Sequence, residues 1–114
     1  MTQKAAETAL REGENEIRAM VDRLRGGRDF VRRSLQEMPG VTVPQADGAF
    51  YLFPRIEGIG DSFDFCRRLL LEKKVGIAPG VAFGRGGEGS VGVCFAADKS
   101  VLEPAMERLH SFLK

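Results

Sequence analysis

The run Gly84–Ser90, GRGGEGS, is the first stretch whose composition could do chemistry, because glycine-rich turns can cradle a phosphate with main-chain N–H groups. A phosphate loop of that kind needs a lysine and a hydroxyl residue directly after the glycines, at the start of a helix. Here no lysine follows, and the run leads into the apolar stretch Val91–Phe95, so it reads as a flexible surface loop. His110 is the sole histidine and has no Cys, His or carboxylate at metal-ligand spacing, so it reads as a surface residue. Cys66 (FDFCRR) and Cys94 (VGVCFA) lack CxxC spacing and sit in apolar settings, which makes both reduced core residues. The doublets Arg32-Arg33 and Arg67-Arg68 carry no interleaved aromatics and make no nucleic-acid patch. One residue remains unexplained. Gly92 interrupts an apolar strand, where glycine weakens the strand and marks either a bulge or a close backbone approach.

These residues need elements to hold them. TQKAAETALRE over 2–12 is rich in helix formers, with Ala5, Ala6, Ala9 and Leu10 at helical spacing. After Gly13 a second helical pattern runs from Glu14 to Glu37, carrying Ile17, Met20, Val21, Leu24, Phe30, Val31 and Leu35 on one face. Gly26-Gly27 in its middle predicts a kink or weak point, since each glycine costs roughly 1 kcal/mol against alanine. Met38-Pro39-Gly40 ends that helix. Val41–Val43 reads as a strand, Asp47-Gly48 as a turn, and Ala49–Phe53 as a second strand whose aromatics Phe50, Tyr51 and Phe53 fill the core. Asp61 or Ser62 caps a helix bearing Phe63, Phe65, Leu69 and Leu70 and ending at Lys73-Lys74. A short strand follows in Val75–Gly80, another in Val91–Ala96, and a closing helix carries Leu102, Met106, Leu109 and Leu113. The expected fold is α+β: a small, mostly antiparallel sheet with helices packed on one face, forming one domain over 1–114.

Composition narrows the function classes. The 114 residues hold 17 Lys and Arg against 16 Asp and Glu, so net charge gives no argument for nucleic acid or an anionic membrane. No apolar run approaches the ~20 residues that a bilayer span requires. The first residues lack the apolar core of a secretory signal, and the expected location is cytoplasmic. The residues by themselves identify no reaction.

Two stretches carry a resemblance that does. Asp47–Pro54 (DGAFYLFP) and Pro79–Ala96 (PGVAFGRGGEGSVGVCFA) resemble, in order and spacing, the C-terminal small domain of class I/II pyridoxal-phosphate-dependent aminotransferases of fold type I. That family shows a G-A-F-Y strand, then P-G-x-x-F-G, then G-x-x-R-[ILV]-[SC]-[FY]-A. The resemblance extends outward: the segments over about 2–38 look like the interdomain helices of those enzymes, and VLEPAMERLHSFL like their last helix. It implies that pyridoxal phosphate is held by a separate large domain bearing the Schiff-base lysine. It also implies that Lys4 is not that lysine and that no residue here binds the cofactor or a metal. Gly92, Phe50 and Phe83 take the substrate-facing positions, and Gly92 stands where the pattern places an arginine that clamps a carboxylate. The implied protein is catalytically incomplete by itself, with Gly26, Gly27 and Gly92 as marks of relaxed constraint. The alternative is a non-enzymatic interaction module that self-associates through Glu14 to Glu37, where an apolar stripe lacks a partner.

Overall fold

The computed structural model describes every residue from Met1 to Lys114. Two helices lead the chain, α1 (Thr2–Glu12) and α2 (Glu14–Gln36). They are followed by β1 (Val41–Thr42), β2 (Tyr51–Leu52), β3 (Arg55–Ile56) and α3 (Ser62–Lys73). Then come β4 (Ala78–Pro79), two 3-10 turns (Gly80–Phe83 and Arg85–Gly87), β5 (Val91–Cys94) and α4 (Lys99–Leu113). All pairing is antiparallel. β5 runs between β2 and β4, with Tyr51 opposite Cys94 and Ala78 opposite Gly92, while β1 pairs with β3.

Helices α2, α3 and α4 cover one face of the central sheet, giving the expected α+β layering. Alternation along β5 sends Val91, Val93 and Phe95 into the core, where they meet Val31 and Leu35 of α2, Leu69 of α3 and Leu109 of α4. Each of these side chains is buried, worth about 1.5–3 kcal/mol relative to exposure. Helix ends follow local chemistry. The Asp61 carboxylate accepts the Asp64 N–H at 2.9 Å to cap α3, and Lys74 closes that helix in the left-handed region at φ 58°. Beyond α2, the chain turns through Gly40 at φ 72°.

Four expectations are corrected. First, α2 runs unbroken through Gly26-Gly27. Gly27 has a packing reason, because a Cβ there would stand 2.8 Å from the Phe95 carbonyl oxygen; Gly26 meets nothing within 4 Å. Second, the aromatics of the DGAFYLFP stretch do not fill the core. Leu52 and Pro54 do, while Tyr51 is exposed and Phe53 half-buried because a two-residue period sends them outward, and Phe50 is exposed on the bend before β2. Third, Cys94 is exposed for the same reason. Cys66 is buried, and burial pushes its thiol up to about 11. Fourth, Gly84–Ser90 is not wholly at the surface: Arg85–Gly87 forms a 3-10 turn, and Gly87, Gly89 and Ser90 are buried.

Candidate functional site

The sheet face turned away from the helices is the side on which β5 presents Gly92 and Cys94. Gly92 lies between Ala78 on β4 and the continuation of β2, and the Val91 N–H to Pro54 carbonyl bond at 3.1 Å carries that register to Phe53. Phe83, at the end of the first 3-10 turn, lies across this spot. A Cβ on Gly92 would stand 3.3 Å from the Ala78 Cβ and 3.4 Å from Phe83 Cε2. The Phe83 ring meets Phe53 edge-on, with centroids 5.5 Å apart and planes at 85°. Yet Phe83 remains 64% exposed, so its outer face is open. The surroundings of Gly92 are therefore carbon: a methyl, two rings and the strand backbone.

Of the three positions singled out in the sequence, the fold brings Gly92 and Phe83 into contact. Phe50 stands apart, around the sheet edge against α2. Its ring lies 4.7 Å from that of Tyr51 and lines a cleft of about 320 Å³ with Val21, Leu24 and Arg28. His110 is half-buried near the end of α4. Arg67 and Arg68 both pair with Asp64, at 2.8 and 3.2 Å, and the Arg67 hydrogen bond leads in holding that carboxyl below its ordinary range.

Gly80, Gly84, Gly87, Glu88 and Ser62 shape the segment that carries Phe83. Gly80 and Gly87 are buried and lie backbone to backbone, so that a Cβ on either would overlap the other's carbonyl oxygen. Gly84 links the two turns at φ 116°, a conformation that glycine alone adopts readily. Glu88 reaches from this loop to the start of α3, where its Oε1 accepts the Ser62 N–H at 2.6 Å. The Ser62 Oγ in turn accepts the Val81 N–H at 3.1 Å. The Ser62 hydroxyl, then its main-chain N–H, hold the Glu88 carboxyl below the usual glutamate range. A carboxylate of depressed pKa contributes stability above its unfolded value and loses it as pH falls through the folded one, so the tie is fully formed at neutral pH.

Pyridoxal phosphate does not fit the residues gathered here. An imine needs an amine, and a phosphate needs a cluster of donors, whereas the Gly92 face offers Phe53, Phe83, Ala78, Tyr51 and Cys94.

The fold is that of the small domain of fold type I aminotransferases. The family profile described as Aminotransferase class I and II matches residues 1–109, and the chain belongs to that family. It is 40% identical over 118 residues to the aspartate aminotransferase of Pyrococcus abyssi, an alignment that covers 98% of this chain and 29% of that enzyme. The aspartate aminotransferase of Pyrococcus horikoshii is 44% identical over 88 residues, covering 76% of this chain and 22% of the enzyme. Among solved structures, the aromatic aminotransferase of Pyrococcus horikoshii superposes with a TM-score of 0.87 at 39% identity, over 97% of this chain and 30% of that one. The chain thus spans less than a third of the length of the relatives it matches.

Proposed function

We propose that the chain is the substrate-side portion of an aminotransferase-type enzyme, transferring amino groups between amino acids and keto acids only when joined to a portion that bears the Schiff-base lysine and holds pyridoxal phosphate. The chemistry required is the same whether that portion sits on the same polypeptide or on a separate one. The observation that carries this reading is the asymmetry of coverage: nearly all of this chain aligns with 29% of the Pyrococcus abyssi enzyme. Gly92 and Phe83 are the substrate-facing pair in this reading, with Phe50 lining the neighbouring cleft. Free thiols at Cys66 and Cys94 accord with a cytoplasmic location. No helix is long and apolar enough to cross a membrane.

A second reading, self-association through Glu14 to Glu37, is favoured by one specific feature. α1 has no buried residue, and Leu10 (88% exposed), Ile17, Met20 and Val21 continue an apolar stripe along α1 and α2 without cover. Such a stripe suits a second copy as well as a cofactor-bearing portion.

One preparation tests both readings. The 114-residue chain is mixed with pyridoxal phosphate, desalted and examined by absorbance and sedimentation. The expected result is no lysine-aldimine band surviving desalting, and a stoichiometric band would overturn the proposed incompleteness. A monomer at high concentration would remove the self-association reading.

A further inference from the structure

Phe83 presents a problem of anchoring. Its ring is mostly exposed and stands at the tip of a glycine-rich segment, so burial alone does not fix it over Gly92. The segment from Gly80 to Gly89 is bonded within itself: the Gly84 N–H to the Val81 carbonyl, the Gly87 N–H to the Gly84 carbonyl, and the Glu88 N–H to the Arg85 carbonyl. Those bonds shape the turns, and the Gly80 N–H to Ser90 carbonyl and Ile56 N–H to Gly89 carbonyl bonds, both 2.9 Å, fix the two ends of the segment to the sheet without reaching the ring between them. The side-chain hydrogen bonds that join the segment to the helices both meet at Ser62, which is fully buried at the first position of α3. Val81 donates to its hydroxyl two residues before Phe83, and Glu88 accepts its N–H four residues before Gly92. One serine thus links the segment to α3 on both sides of the ring, in addition to the main-chain bonds at its ends.

The chemistry of the tie is specific. The Ser62 N–H lies in the first turn of α3, where main-chain donors have no intrahelical partner and a negative charge is favoured. Asp61 satisfies the Asp64 N–H, and the Glu88 carboxylate satisfies that of Ser62 from another part of the chain. A charged acceptor makes a shorter and stronger bond than a neutral one, in keeping with the 2.6 Å separation.

We infer that Glu88 and Ser62 are positioning residues that hold Phe83 across Gly92, so that the open sheet face meets a ligand with an aromatic ring rather than with bare strand backbone. The site role rests on the proposed reading of this face as substrate-facing; the geometric role does not.

The ring supplies its own reporter. An α-proton of Gly92 beside the Phe83 ring is displaced by the ring current from the position of an ordinary glycine and shows cross-relaxation to the ring protons. In the labelled full chain, Phe83→Leu sets the value without the ring. Glu88→Ala is expected to lose the Gly92–Phe83 cross-peaks and move the Gly92 shift towards that of Phe83→Leu, while the Tyr51–Cys94 cross-strand peaks persist. Glu88→Gln keeps a carbonyl acceptor and falls between. Ser62→Ala removes the acceptor of the Val81 N–H but keeps the main-chain N–H that Glu88 accepts, so it tests the Val81 side of the tie and should weaken the same cross-peaks; because Ser62 is buried, the Glu88 variants carry the test should it fail to fold. Loss of native-state stability alone does not shift a folded-state resonance, so a merely structural role leaves these signals in place. A folded Glu88→Ala chain with wild-type Gly92–Phe83 signals would overturn the inference. In an assembly with the lysine-bearing portion, Glu88→Ala should also raise KM more than it lowers kcat. Unchanged kinetics together with lost cross-peaks would overturn the substrate-facing reading and leave the tie standing.

Discussion

Replacing Gly87 with alanine is expected to destabilise the chain by about 3 kcal/mol, while the same change at Gly86 costs under about 0.5 kcal/mol. The two residues are neighbours in one exposed-looking run, and sequence alone treats them alike. In the fold, a Cβ at Gly86 meets nothing within 4 Å, whereas one at Gly87 overlaps the Gly80 carbonyl oxygen, which is backbone and has nowhere to go. Gly80→Ala should cost as much, since the clash is reciprocal and a Cβ there also meets the Ser90 carbonyl oxygen. For a chain of this size, roughly 4 °C of melting temperature accompanies each kcal/mol, so Gly87→Ala should melt about 12 °C below the wild type. Thermal denaturation of the three variants checks this. Equal melting points for Gly86→Ala and Gly87→Ala would show that the two turns are not packed backbone to backbone.

That contrast marks where the sequence stops being legible. Helix ends were readable because their causes are local: Asp61 caps, Pro39 cannot continue a helix, and Gly40 accepts a positive φ. The layering was readable too, since the apolar spacing of α2, α3 and α4 points to a single core. The side of the sheet on which the aromatics lie was also within reach. Alternation in Tyr51-Leu52-Phe53 and in Val91-Gly92-Val93-Cys94-Phe95 puts Leu52, Val91, Val93 and Phe95 on one face and everything else on the other. Applying that period would have placed Cys94 outside the core. The glycines were not readable, because their reasons are tertiary. Gly27 exists because the end of β5 crosses α2 at the Phe95 carbonyl, and Gly80 because Gly87 returns to it. Neither approach leaves a trace in the residues nearby. The tie between Glu88 and Ser62 spans 26 positions and had no signal at all. Gly27 also bears on the expectation that three glycines reflect relaxed constraint: one of the three is held by packing.

Placing arginine at position 92 is expected to change recognition far more than stability. A Cβ there meets the Ala78 Cβ at 3.3 Å, which must give by a few tenths of an ångström, and lies in ordinary contact with the Phe83 ring at 3.4 Å, so the long side chain presses on that ring. Displacing the ring loses its edge contact with Phe53, about 0.5–1.5 kcal/mol. Against this, removing a glycine from a strand interior relieves an entropic cost of roughly 0.5–1 kcal/mol. The two nearly cancel, and Gly92→Arg should fold within about 1 kcal/mol of the wild type. A guanidinium held on this face offers the planar fork that matches a carboxylate, and hydrogen bonds to charged groups contribute about 1.5–3 kcal/mol. With each 1.4 kcal/mol equivalent to tenfold, an assembly with the lysine-bearing portion should bind an α-amino acid about 10- to 100-fold more tightly with Gly92→Arg than with Gly92. The chain alone should still transfer no amino group, because a carboxylate clamp supplies neither the amine nor the electron sink that transamination requires. Assaying keto-acid formation from an amino acid with added pyridoxal phosphate separates the two claims. Turnover by the isolated Gly92→Arg chain would refute the need for a second portion, whereas an assembly indifferent to the substitution would show that this face does not meet the substrate carboxylate.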